Sequence, residues 1–284
     1  MTPNGAVPIP APESVLLRGR VRGVPTSNVV LAVYRDNIHG RISLPNGPAT
    51  TTYLMNTLGT SDPTVVLYDM RFVKRAEPWH CGVLDTSSIR IPTPSKGERT
   101  QASYRTIDIA LEGDQPFYQD NNSNVTTATN YAEAVIAHVS DLYERDVTAA
   151  VFIGTFVLWT TPDPYPGATT DVLLTQFRDY YRTNKANLNR TVAMLFTGIN
   201  NQGGIAYVNT LCNKQWGYSI CGIQSTFVYP RTDYAWDTEV TAHELGHNVG
   251  SPHTHNCSWN PPIDSCWTMG CNSMHDGELN RSRH

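Results

Sequence analysis

This sequence has few charged residues, no large excess of either sign, and no long apolar run. Only 16% of its 284 residues are charged, the formal net charge is −4, and no run of lysine or arginine breaks the balance. A protein that binds nucleic acid through its phosphates needs excess basic surface, so we expect no nucleic-acid partner. The nearest candidate for a membrane segment, Ala149–Trp159, is far shorter than the roughly 20 apolar residues that a spanning helix needs. We predict a buried strand there and no membrane segment.

The amino terminus also lacks the basic start and apolar core of a secretory leader, which by itself favours the cytosol. Five of the six cysteines, however, lie from Cys212 onward, at spacings typical of loops joined by disulfides. Cys212 and Cys221 could form one local pair. Sequons for N-glycosylation occur at Asn121, Asn124, Asn189, Asn256 and Asn280. We therefore expect a secreted, extracellular protein whose signal peptide is not present in this chain.

The pattern of the chain changes near residue 86. Residues 1–85 carry short apolar stretches between turn residues, which predicts a smaller β-rich domain. Residues 86–103 are rich in Ser, Thr, Pro and charge, as a solvated linker is. Residues 104–284 alternate strand and helix patterns, which predicts an α/β fold with helices on a twisted mixed sheet.

Individual elements of the α/β region can be predicted from periodicity and capping residues. Thr129 or Asn130 is the expected cap of the first helix, and Asp237 or Thr238 that of the last. The predicted elements are a strand at Arg105–Leu111, a helix ending at Asp146, a β-rich run at Val147–Trp159, a helix at about Asp171–Asn184 and a strand at Thr191–Phe196.

A histidine pair at helical spacing indicates a metal site. His243 and His247 are four residues apart, so on a helix they project from one face and can bind one ion. Gly250 can adopt the positive φ that ends the helix and turns the chain back, which brings His253 within reach as the third ligand. His255 is the alternative third ligand. Three imidazoles and an open position are the ligand set of a catalytic Zn²⁺.

The run H-E-L-G-H-N-V-G-S-P-H, residues 243–253, resembles the extended zinc-binding motif of the metzincins. Its continuation, H-N-C-S-W-N-P-P-I-D-S-C, is similar to the reprolysin or adamalysin-like branch, and the resemblance covers roughly residues 104–271. It implies a zincin-like α+β catalytic domain with an active-site helix. His243, His247 and His253 would bind one zinc ion, and Glu244 would be the general base. The implied activity is that of a metalloendopeptidase, which hydrolyses polypeptide substrates through a zinc-activated water.

The segment Gly203–Val208 resembles the edge strand that lines the upper rim of the metzincin cleft. An edge strand has unpaired backbone groups, so Gly204, Ile205 and Ala206 would bind an extended substrate by strand addition. An ordinary edge or hairpin strand is the alternative.

Two positions depart from the family pattern. Adamalysins carry Asp directly after the third histidine, where this chain has Thr254. Only 31 residues, 254–284, follow His253, and neither Met269 nor Met274 stands in the context of the tight methionine turn that metzincins place under the zinc. We therefore expect a catalytic domain that is truncated or diverged at its carboxy terminus.

Cys81 lies in P-W-H-C-G-V, residues 78–83, which is similar to the P-x-x-C-G-V switch of adamalysin propeptides. The resemblance implies that residues 1–85 are an inhibitory prodomain of a zymogen, with the Cys81 thiolate in the open coordination position of zinc. Arg99 is a candidate processing point. A structural disulfide is the alternative role of Cys81.

Two other functions compete with the protease. The chain could be a non-catalytic zinc-binding or adhesion module that retains the metzincin fold, in which case zinc would bind without peptide cleavage. It could also be another zinc hydrolase, such as an amidase for small substrates, which an extended cleft argues against. The sequence does not indicate whether calcium binds.

Overall fold

A computed structural model describes residues 8, 9, 11, 13–34, 37–47, 49–59, 62–72, 81, 105–199, 203–224, 233–256, 259 and 263. Within these residues the chain forms two five-stranded sheets and four α-helices. The predicted linker, the methionines at 269 and 274 and the candidate processing point Arg99 lie outside the described residues.

The first sheet, called the N-terminal sheet below, is an antiparallel meander with strands in chain order. Val30, Ala32 and Leu54 are buried on one face, because successive side chains of a strand point to opposite faces. The predicted β-rich character of this region is thus present, whereas its role as a prodomain and the domain boundaries stay predictions. Its strands are β1 (Val15–Gly19), β2 (Asn28–Tyr34), β3 (Asn37–Asn46), β4 (Ala49–Gly59) and β5 (Asp62–Asp69), and a short 3-10 helix, Met70–Phe72, follows.

The second sheet, called the mixed sheet, has the order β7-β6-β8-β10-β9. Its first four strands run parallel, and the short edge strand pairs antiparallel with its neighbour. The predicted mixed α/β architecture is confirmed. The strands are β6 (Arg105–Gly113), β7 (Ala149–Leu158), β8 (Val192–Thr197), β9 (Gly204–Ala206) and β10 (Tyr218–Gly222). The last of these, β10, was not predicted.

Helices cover both faces of the mixed sheet: α1 (Gln115–Asp120), α2 (Val125–Val147), α3 (Thr170–Asn184) and α4 (Asp233–Val249). Ile109 and Leu111 of β6 belong to a core with residues of α2 and α4, whereas Ala110 between them belongs to a second core with α3. The active-site helix predicted from the histidine spacing is therefore α4, on the same face as α2. Among the described residues, no helix combines the length and apolar character needed to cross a bilayer.

Two predicted helix starts were wrong. Asn124 caps α2, since its side chain accepts a hydrogen bond from the backbone N–H of Thr127 at 3.0 Å, so Thr129 and Asn130 lie inside the helix. Helix α4 likewise begins at residue 233, before Asp237 and Thr238. Asp237 serves tertiary structure instead: its buried carboxylate accepts hydrogen bonds from the Tyr131 hydroxyl and from the Gln224 backbone N–H.

The N-terminal sheet contacts the outer side of α2 through carboxylates of that helix. Asp141 forms an ion pair with Arg41 and accepts a hydrogen bond from Asn28 Nδ2 at 2.6 Å. Arg18 pairs with Glu144, and Ser14 donates to Glu133. Two buried histidines, His39 and His138, lie in the same interface, and His138 lines a cavity of about 500 Å³.

Candidate metal centre

Helix α4 aims two of the predicted ligands at one point. The Nε2 atoms of His243 and His247 are 3.0 Å apart, because residues four apart on a helix share a face. Gly250 ends the helix with a φ of 117°, as predicted. The N–H of Gly250 bonds to the carbonyl of His247, and that of Ser251 to the carbonyl of Gly246, both at 2.9 Å. This glycine C-cap reverses the chain beneath the helix end.

The reversal brings His253 beside the helix pair. Its ring centroid lies 5.3 Å from that of His243 and 4.8 Å from that of His247. One ligand atom from each of these three histidines and from Cys81 lies within 4.8 Å of all the others. His255, the alternative third ligand, stacks on His253 at 5.0 Å and does not belong to this group.

Neighbouring groups hold the imidazoles in a metal-binding form. His247 Nδ1 is 2.7 Å from the carbonyl oxygen of Ser251, which fixes Nδ1 as the donor and leaves Nε2 for an ion. Burial, followed by the nearby imidazoles of His247 and His253, lowers the pKa of His243 to about 3. A neutral ring keeps its lone pair available for coordination.

Glu244 is fully buried below the edge strand β9. An added Cβ on Gly204 would lie only 2.6 Å from Glu244 Cδ, so glycine at this position lets the carboxyl group approach the strand. Burial raises the pKa of Glu244 well above its ordinary value. Its Oε2 has no hydrogen-bond partner among the described residues. A buried carboxylate in this setting favours a cation nearby.

Cys81 reaches the centre from outside the mixed sheet. It forms an isolated parallel bridge with Gly204, and its Sγ lies 3.4 Å from His247 Nε2 and 3.5 Å from Glu244 Oε1. Cys81 is in no disulfide, so that alternative was wrong. The other residues of the predicted switch, 78–80, 82 and 83, lie outside the described residues.

The suggested pairing of Cys212 with Cys221 was also wrong. Both thiols are free: Cys221 is buried in the core between the mixed sheet and α2, whereas Cys212 is exposed in a loop. Burial raises the pKa of the Cys221 thiol well above its ordinary value, which makes it unreactive. The remaining cysteines, 257, 266 and 271, lie outside the described residues.

The residues at the centre fit a zinc ion. Imidazole nitrogen and thiolate sulfur are its preferred protein ligands, and three histidines with one exchangeable position are typical of its catalytic sites. The orphaned Oε2 of Glu244 is a buried acceptor beside the ligand group, and a cation bound there would favour its ionised form. The sequence reasoning missed Asn248, which directly follows His247 and is fully buried. No pattern in the sequence distinguishes it from an ordinary helical asparagine.

Comparison with known proteins identifies the family. A family model described as Reprolysin_5, metallo-peptidase family M12, matches residues 103–276. The chain is 30% identical over 182 residues to the zinc metalloproteinase-disintegrin-like atrase-A of Naja atra, and the match spans 61% of this chain and 28% of that relative. A solved structure of a chaperone–substrate complex aligns over 80% of this chain and 31% of its own, with a TM-score of 0.41 and 10% identity. Because the family model covers more than half of the chain, the chain belongs to metallopeptidase family M12, as a reprolysin-like metzincin.

Proposed function

We propose that this chain is a zinc-dependent endopeptidase whose ligands are His243, His247 and His253 and whose general base is Glu244. The observation that carries the proposal is the convergence of three imidazoles beside a fully buried carboxyl group at a sheet edge. Membership of family M12 supports zinc and peptide-bond hydrolysis as the chemistry of this site.

Zinc bound to the three imidazoles would supply a Lewis acid that lowers the pKa of the attacking water and polarises the scissile carbonyl. Glu244 takes the proton of that water as the water oxygen attacks the carbonyl carbon. The same carboxyl group then delivers the proton to the departing amine nitrogen as the C–N bond breaks. One residue thus serves as base and as acid, and its burial keeps bulk water from exchanging the proton.

The substrate would bind along β9, whose outer edge has no partner strand among the described residues apart from the bridge at Cys81. An extended polypeptide can add to Gly204, Ile205 and Ala206 through backbone hydrogen bonds. Gly204 is the β9 residue that contacts Glu244, so a peptide bond beside Gly204 lies next to the proposed base. This arrangement favours polypeptides over small amides.

Residues 1–85 would act as the chain's own inhibitor, a prodomain joined by the linker 86–103 to a protease domain at 104–284. The position of Cys81, with Sγ 3.4 Å from His247 Nε2, supports a thiolate that blocks the open coordination position. Cleavage near Arg99 would then allow activation. The crowding of cysteines after Cys212 and the sequons support secretion to the extracellular space.

The test uses the full chain. Its zinc content is measured by atomic emission, and its cleavage of an unfolded protein substrate is measured before and after modification of the thiols. We expect about one zinc per chain and cleavage after the thiol is modified. Glu244→Gln should keep the zinc and lower kcat by roughly 10³-fold or more. Zinc binding without cleavage in any form of the chain would favour the non-catalytic module, and no zinc binding would reject both.

A further inference from the structure

The side-chain amide of Asn248 connects three separate parts of the chain. Its Nδ2 lies 2.8 Å from the Tyr207 carbonyl oxygen, 3.1 Å from the Tyr218 carbonyl oxygen and 3.2 Å from Thr210 Oγ1. Two of these three groups are backbone carbonyls, which only accept hydrogen bonds, so the nitrogen and not the oxygen must face them. Thr210 Oγ1 donates to the Tyr207 carbonyl at 2.9 Å and thus accepts from the amide.

Backbone hydrogen bonds join the same loop to the end of α4. The N–H of Asn209 bonds to the carbonyl of His247, and that of Thr210 to the carbonyl of Asn248, both at 2.9 Å. The N–H of Leu211 bonds to the carbonyl of Asn248 at 3.0 Å. The last carbonyls of a helix have no partner within it, so the loop 207–211 satisfies groups that would otherwise need water.

Strand β9 is therefore held to the zinc-binding helix at both of its ends. Gly204, at its start, lies against Glu244, and Tyr207, just after its end, bonds through its carbonyl to Asn248. The bond from Asn248 to Tyr218 also holds β10, the neighbour of β9, to the same helix.

We propose that Asn248 is a positioning residue, which fixes β9 relative to the imidazole of His247 so that an extended substrate places its scissile bond at the catalytic centre. The inference rests on the proposed function. It adds a residue that contacts neither zinc nor substrate and acts through the strand to which the substrate would bind.

The test variant is Asn248→Asp, prepared in full-length chain that carries Cys81→Ser so that the proposed switch thiol is absent. The substitution conserves shape but turns a donor into an acceptor that faces two backbone carbonyls, which only accept, so β9 should separate from α4. We expect hydrogen exchange at residues 204–207 to become at least about tenfold faster, while exchange in the first three turns of α4 and the zinc content stay unchanged.

The second measurement is the rate of substrate cleavage by Asn248→Asp. For a peptide long enough to pair along β9, we expect kcat/KM to fall about tenfold or more, mainly through KM. For a short ester or amide that does not reach Ala206, the change should stay below about threefold. The matched control is Asn121→Asp, made in protein without N-glycans, because Asn121 is also a buried asparagine whose Nδ2 donates to a backbone carbonyl, that of Phe117, in the α1 region.

Each outcome decides the proposal. Unchanged exchange at residues 204–207 would overturn it, because Asn248 would then not hold β9. Equal kinetic losses for the long and short substrates would also overturn it, because they would show a general structural effect. If the parent chain cleaves no peptide, the proposed function fails, and the exchange measurement alone then decides whether Asn248 positions β9. If Asn248→Asp does not fold, Thr210→Val removes one member of the same contact and should show a smaller change in the same direction.

Discussion

At the scale of single residues, the contact of Gly204 with Glu244 constrains the site most sharply. A methyl group on residue 204 would overlap the Glu244 carboxyl, at 2.6 Å from Cδ. The carboxyl group is fully buried and cannot move aside without displacing its neighbours.

We therefore expect Gly204→Ala to lower kcat by about 10- to 100-fold while zinc stays bound, because Glu244 would leave the position needed for proton transfer. Peptide cleavage and metal content measure the two effects. Gly19→Ala is the matched control, since a Cβ there meets nothing within 4 Å. Full activity of Gly204→Ala would contradict the proposed role of the contact.

Cys81 leads to a second prediction at this scale. A serine hydroxyl is a much poorer zinc ligand than a thiolate, so Cys81→Ser should raise the activity of the uncleaved chain by about tenfold or more. Cys212→Ser tests the specificity of the effect, because Cys212 is an exposed thiol away from the ligand group. An equal rise in both variants would point to a general effect of thiol removal, against a switch at Cys81.

At the scale of elements, the interface between the N-terminal sheet and α2 contains a buried ion pair. The side chains of Arg41 and Asp141 are 11% and 7% exposed, whereas those of the neighbouring pair Arg145 and Asp146 are 43% and 56% exposed. The two pairs share chemistry and differ in burial.

Asp141→Asn should destabilise the attachment of the N-terminal sheet by about 3 kcal/mol, because it leaves the Arg41 charge buried without its counter-charge. Asp146→Asn should cost less than about 1 kcal/mol, since water screens an exposed pair. Urea unfolding followed by a probe in the N-terminal sheet compares the two variants. Equal losses of unfolding free energy in the two variants would mean that burial does not strengthen the Arg41–Asp141 pair.

The two histidines of this interface make it sensitive to acid. Burial lowers the pKa of His39 to about 3 and that of His138 to about 4, so both are neutral in the assembled chain. Arg41 and Arg18 further disfavour a charged His138, whereas Asp141 favours it. Once exposed, each ring would have the ordinary histidine pKa of 6.5 and would bind a proton when the pH falls below that value.

The N-terminal sheet should therefore bind α2 less strongly as pH falls from about 6.5 toward 4. The free energy of this contact should fall by about 2 kcal/mol per histidine at pH 5. Hydrogen exchange of β2–β4 at pH 7.5 and pH 5, corrected for the intrinsic rate, measures the change. His138→Gln should remove roughly half of the pH dependence. An interface equally stable at both pH values would rule out buried neutral histidines as its acid-sensitive element.

Elements were predictable where local patterns determine them. The spacing of His243 and His247 predicted one helix face, and the alternation in residues 105–111 predicted β6. The helix starts failed because the best local cap was not at the start of the helix: Asp237 lies inside α4 and accepts a hydrogen bond from Tyr131 of α2. Strand β10 was missed because its five residues are all buried and include Ser219 and Gly222, so they form neither an alternating pattern nor a continuous apolar run like that of β8.

At the scale of the whole molecule, the sequence predicted the family, and the propeptide resemblance implied that Cys81 approaches the histidines, but the other contacts between distant segments were not predicted. Gly204 meets both Cys81, which lies more than a hundred positions earlier, and Glu244, which lies 40 positions later. The same holds for Asn248, whose partners lie 30 to 41 positions earlier. Such contacts follow from packing of the complete chain, which local propensity does not encode.

Among the described residues, the N-terminal region contacts the carboxylates of α2 and also reaches the candidate metal centre at Cys81. Tethering raises the local concentration of the thiol to about the millimolar range, so even a weak sulfur contact can persist. A detached hexapeptide copying residues 78–83 would lose that advantage and should inhibit poorly. If Cys81 is the proposed switch, loosening the remote anchor on α2 by mutation would release the thiol without altering any of the three histidines.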